Sequence, residues 1–182
     1  MSRKYKFHNK EGLYFISFAV INWIDVFIRL EYQNIFIESL KYCQKEKGLE
    51  LYCWCLMPSH AHLIFRAKNN NPTDVLRDFK TFTSKAIQKA IAENPKESRR
   101  EWMLEMMEKA GAKNSNVEKR QFWQQNNHPI ELWSSEIIEQ KVNYIHNNPV
   151  KAGFVNEPWE WKLSSAANFA GQMGLINIEE LG

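Results

Sequence analysis

Two β-rich runs meet at Pro58-Ser59, and that junction constrains this chain more than any other feature. Leu49 to Met57 and His60 to Ala67 each have the length and composition of a strand, and the Pro-Ser break between them is too short for a helix. The second run opens with His60-Ala61-His62. Side chains alternate across a strand, so both histidines point to one face. Their Cα atoms would lie about 6.5–7 Å apart, close enough for both imidazoles to share one metal ion.

Around this pair the pattern alternates between strand and helix. Leu13 to Ile21 reads as a strand rich in aromatic and β-branched residues, and Tyr32 to Glu46 as a helix stopped by Gly48. Asn69 to Pro72 is a turn, from which Thr73 can cap a helix running to about Ala92. Residues 94–132 read as an elaborated segment: a Met-rich helix over Glu101 to Ala110, a polar stretch over Gly111 to Val117, and an extended piece at Gln121 to Gln124. Ser134 or Ser135 can cap a further helix that ends before Pro149, with Ile138, Val142 and Ile145 on its apolar side. A tail from about residue 154 carries a short helical segment near Ser164 to Ala170. This order implies one α+β domain over residues 1–182, with an antiparallel or mixed sheet and helices packed mainly on one face.

Composition narrows the class. Three cysteines, with no signal-peptide pattern at the N-terminus, point to a reducing cytoplasm. The most apolar stretch, Leu13 to Ile28, is interrupted by Asn22 and Asp25 and is too short to span a bilayer, so no membrane partner is expected. A net charge of +3 is mild, but Arg3, Lys4, Lys6 and Lys10 cluster at one end. Arg66, Lys68, Arg77, Lys80, Lys85 and Lys89 follow the histidines. That distribution suits a phosphate backbone and equally suits an ordinary solvated face.

On the helix before Pro149, Lys141, Tyr144 and Asn148 share the face next to the apolar one, Tyr144 and Asn148 standing four apart. A free tyrosine titrates near about 10, so a phenol at neutral pH needs help to act as a nucleophile. A metal held by His60 and His62 would supply it by polarising a phosphate oxygen and stabilising a leaving 3′-oxygen, with the Asn148 amide oxygen available as third ligand. Each piece also has a plain structural reading: polar residues at a sheet edge, a core or surface tyrosine, and an asparagine ending a helix before proline. Cys53, Cys55, His60 and His62 together would also suit a structural zinc site. A nucleotide hydrolase with a His-x-His-x-His strand is excluded because position 64 is Ile.

The segments Cys55-Leu-Met-Pro-Ser-His-Ala-His-Leu-Ile64 and Tyr144-Ile-His-Asn-Asn-Pro-Val-Lys-Ala-Gly153 resemble the single-tyrosine HUH transposases, the IS200-like family. They are most similar to its REP-associated tyrosine transposase branch, with supporting similarity at Phe79 to Ser84, Phe122 to Gln124 and Ser164 to Ala166. Ala61 is smaller than the usual residue between the histidines, and Ser59 stands where asparagine is common. The resemblance implies a ferredoxin-like split βαβ fold, a homodimer, and action on single-stranded DNA near hairpins. It also implies cleavage with Mg2+ or Mn2+ through a covalent 5′-phosphotyrosine. It places His60, His62 and Asn148 as metal ligands and Tyr144 as nucleophile. The alternative is a domesticated hairpin-binding protein of the same fold that recombines nothing. Arg77, Lys80 and Lys85 are candidates to neutralise phosphates, and Trp123 to stack on a base or else fill the core. His128 to Glu131 reads as a turn or as a contact to the site.

Overall fold

The computed structural model describes residues 7–115, 119–125 and 128–181. Arg3, Lys4 and Lys6, and the end of the polar stretch at residues 116 and 117, lie outside the described residues.

Strand β1 (Tyr14–Ala19) leads through a short irregular loop into helix α1 (Leu30–Glu46). Strands β2 (Leu49–Leu56) and β3 (His60–Ala67) then form a hairpin, followed by helices α2 (Pro72–Glu93) and α3 (Arg100–Ala112). Strand β4 (Ile130–Glu131), helix α4 (Ser135–His146) and the short helix α5 (Asn148–Lys151) follow, with a one-turn helix near the end. The sheet order is β2-β3-β1-β4 with every pairing antiparallel, the split βαβ arrangement. β4 is only two residues long and pairs Ile130 and Glu131 with Phe15 and Tyr14. The His128 to Glu131 segment therefore runs from a turn, with His128 at φ 43°, into the strand that completes the sheet.

The two sheet faces bury different sets. Tyr14, Ile16, Phe18, Leu63 and Phe65 face α1, α2 and α3 and join one large core. Phe15, Cys53, Cys55 and Ile64 face the other way and pack against Val142 and Ile145 of α4. A register shift between Leu51 and Cys53 places neighbouring residues Tyr52 and Cys53 on the same side, toward α4. Beyond β2, Leu56 N–H donates to Leu163 O, while Trp54 and Ser165 join through Ser165 N–H to Trp54 O. The tail thus covers an otherwise open sheet edge.

Helix termini follow local chemistry. At the start of α2 the cap is Asn71, not Thr73: its side chain accepts from Asp74 N–H, and Pro72 occupies the first turn, where a missing N–H costs nothing. Ser134 caps α4 by accepting from Ile137 N–H at 3.3 Å. The backbone stays helical through Asn147 (φ −84°, ψ −2°) into α5, so Asn148 remains one turn beyond Tyr144 despite Pro149.

Candidate active site

His60 and His62 lie at the start of β3 on the α4 face, and α4 lays Tyr144 directly against them. The rings of His60 and His62 are 4.9 Å apart between centroids, and His62 and Tyr144 are 5.2 Å apart, both edge to face. The Asn148 side chain lies close enough to the His60 ring to favour its charged form against the effect of burial. Two pairs of residues more than 80 positions apart in the chain therefore come together, with Tyr144 against His62 of its own chain.

Phe15 of β1 organises the group. Its ring stacks on His62 at 5.9 Å and meets Tyr144 edge-on at 5.9 Å. The Lys141 ammonium sits 4.9 Å from the Phe15 ring centre and 5.7 Å from that of Tyr144. The lysine thus stands one turn before the tyrosine, where it can meet a phosphate brought to the phenol. Neither Phe15 nor Lys141 carried a motif. Only the strand period for Phe15 and the i−3 spacing for Lys141 could have indicated them.

Electrostatics favour metal-ligating histidines. Burial, and then the neighbouring His60, push the His62 imidazole down to about 3; burial also lowers His60. Both rings are therefore neutral at physiological pH, the form that donates to a metal. His62 is 2% exposed, and neither of its ring nitrogens has a hydrogen-bond partner. Burying such a polar group unpaired is costly, and an ion would satisfy it. The 4.9 Å ring separation also fits two imidazoles side by side on one ion with metal–nitrogen bonds of about 2 Å. Ser59 Oγ is 3.2 Å from His60 Nδ1, so a hydroxyl accepting there leaves Nε2 for the ion. Among the described residues no cluster of three or more His, Cys, Asp or Glu could hold a metal. The zinc alternative fails on the same ground, because Cys53, Cys55, His60 and His62 do not gather into such a cluster. Asn148, whose side chain acts on His60, is the candidate third protein ligand.

The other expected DNA contacts do not gather here. α2 lies on the opposite face of the sheet, carrying Arg77, Lys80 and Lys85 away from the histidines. Arg77 is paired with Asp74 and with Asp78 at 3.0 Å, while Lys85 is exposed. Lys80 donates to Gln124 O at 3.3 Å and lies over the Phe18 ring; burial lowers its amine to about 7. Trp123 is corrected outright as a stacking platform. It is 6% exposed, its ring packs on Phe18 and Phe27, and its indole N–H donates to Thr83 Oγ1 at 3.0 Å.

His146 was missed as well. It is buried behind the site, with Nε2 2.9 Å from Ser165 Oγ and 3.2 Å from Cys53 Sγ, and burial lowers it to about 4. It ties the end of α4 to β2 and to the tail that covers the sheet edge. The signal lay in the sequence as a histidine on the apolar side of that helix.

Sheet and site together place a His-x-His pair and Tyr144 on a split βαβ scaffold. The family model described as Transposase IS200 like matches residues 18–107, a span that includes both histidines and ends before Tyr144. A Haemophilus influenzae protein, provisionally described as a REP-associated tyrosine transposase, is 24% identical over 167 residues, covering 91% of this chain and 85% of its own. A solved REP-associated tyrosine transposase bound to a REP hairpin superposes with a TM-score of 0.66 at 17% identity. That match covers all of this chain and 95% of the other, and shows the same fold. Over these spans the chain is similar to the IS200-like transposases and to a REP-associated tyrosine transposase.

Proposed function

We propose that this chain is a metal-dependent single-stranded DNA endonuclease and strand transferase that works near hairpins through a 5′-phosphotyrosine. The observation that carries the reading is the placement of Tyr144 against His62 while the Asn148 side chain lies close to His60. A Mg2+ or Mn2+ ion on His60, His62 and Asn148 would supply Lewis acidity toward a phosphate oxygen and the leaving 3′-oxygen. Tyr144 Oη attacks phosphorus and forms the O–P bond as the P–O3′ bond breaks. The phenol proton leaves to solvent, and the released 3′-oxygen takes up a proton. Tyr144 is 42% exposed, so a strand can reach it without the helix moving. Lys141 neutralises charge beside the phenol. Attack by a second strand's 3′-hydroxyl reverses the bond changes and rejoins DNA, with the phosphodiester energy kept in the tyrosyl link.

The REP hairpin in the similar structure supports hairpin DNA as the partner here, and the family resemblance supports a homodimer. No helix among the described residues is long and apolar enough to cross a membrane, which accords with a cytoplasmic enzyme. The test is incubation of hairpin DNA bearing single-stranded arms with Mg2+ or Mn2+. Wild type should release a fragment whose 3′ end a polymerase extends, and Tyr144→Phe should not. Equal hairpin binding by both proteins, with neither cutting, would favour the domesticated binder.

A further inference from the structure

We propose that Trp23 is a base-stacking platform that positions a nucleotide of the single strand next to the metal pair. This rests on the function proposed above and names a contact for it. Trp23 is 59% exposed, yet its ring stands edge-on to His60 with centroids 5.2 Å apart. The backbone makes this placement deliberate. Asn22 and Trp23 both take left-handed conformations, φ 52° and 56°, which disfavour a bulky side chain and are rarely adopted twice in succession.

What holds the strained pair is rigid. Ile21 and Ile24, on either side, are buried in the main core. Ile21 N–H donates to Phe122 O, Val20 N–H to Ser59 O, and Phe27 N–H to Pro58 O, so the loop is fastened to the hairpin turn that presents His60. Arg99 pairs with Asp25 further along the same loop. The fold therefore spends strain to hold an indole out in water at the rim of the site, where burial returns little. A π-face fixed beside a phosphate-cleaving centre suits a nucleobase, because every base offers a face to stack on. An indole kept only to brace His60 would be better placed buried, as Trp123 is on the other side of the sheet.

The test uses the full chain without added metal, so that binding is separated from cutting. The probe is a DNA hairpin with single-stranded arms in which one arm base at a time is 2-aminopurine. Wild type should quench the fluorophore at one or two arm positions. Trp23→Phe should retain the quenching, and Trp23→Ala should lose it and bind the armed hairpin about ten-fold more weakly, within the range that one base stack contributes. A blunt hairpin lacking arms should bind Trp23→Ala and wild type alike. Position 23 is at the surface, so a circular-dichroism melt matching wild type confirms that the alanine variant is folded. Unchanged quenching and affinity in Trp23→Ala overturn the stacking role while leaving the proposed function standing. Failure of wild type to bind any armed hairpin overturns both.

Discussion

At the scale of single residues, the site depends on how two imidazoles are kept neutral and aimed. His62 is held without a proton by burial, and its unpartnered nitrogens make it the deeper of the two proposed ligands; Ser59 stands beside the His60 ring, and Asn148 acts on its charge. Ser59 replaces the asparagine common at its position in this kind of motif, yet the hydroxyl still reaches Nδ1. Ser59→Ala should weaken Mn2+ affinity about ten-fold, the usual cost of removing a hydrogen bond that orients a ligand. Titration calorimetry would read this, and an unchanged affinity would mean that Ser59 does not orient the ring. The histidine pair and the Tyr144–Asn148 spacing were legible in the sequence because β and helical periods dictate which side chains share a face. Lys141 was legible only as a neighbour of Tyr144 on its helix, and Phe15 only as a strand residue. Their roles arise from β1 lying beside β3 and α4 lying across both, which is a tertiary fact.

At the scale of elements, α4 and its continuation α5 matter most, since together they would carry the proposed nucleophile Tyr144 and the proposed third ligand Asn148. Helix α4 is fastened at its start by the Ser134 cap and at its end by His146 against Cys53 and Ser165. Ser134→Ala should cost about 1 kcal/mol, lowering the melting temperature by roughly 2–4 °C in a chain of this size. DNA cleavage at ambient temperature should persist, because the cap lies at the end of the helix away from Tyr144; a large loss of cleavage would show that α4 is more loosely held than its contacts indicate. Most elements could be read from periodicity, with His60–Ala67 expected over the very residues observed. β4 could not. Two residues carry no period, and Ile130 and Glu131 become a strand only because β1 offers a free edge. Of the two readings open for Trp123, the core one holds, because the chain here crosses the end of β1 and turns the indole inward.

At the scale of the whole molecule, one sheet separates two tasks. The face toward α1, α2 and α3 supplies most of the buried apolar core, while the face toward α4 carries the candidate site. The second face therefore bears the buried histidines and a pH liability. His62 and His146 are held down to about 3 and 4, against about 6.5 for an unfolded histidine. Below that value the unfolded chain takes up protons that the native protein refuses, so stability should fall as pH drops from about 6.5 toward 4. Urea midpoints of the metal-free protein across that window would show the decline; a flat profile would mean that the two histidines are not buried and neutral as described. The most direct measurement of the central claim is to treat hairpin DNA with the protein and Mn2+, digest away the nucleic acid, and map the remaining nucleotide on the protein by mass spectrometry. The account predicts a 5′-linked nucleotide on the peptide bearing Tyr144, absent when the metal is chelated. Attachment at another residue, or cleavage with no protein-linked nucleotide at all, would contradict it.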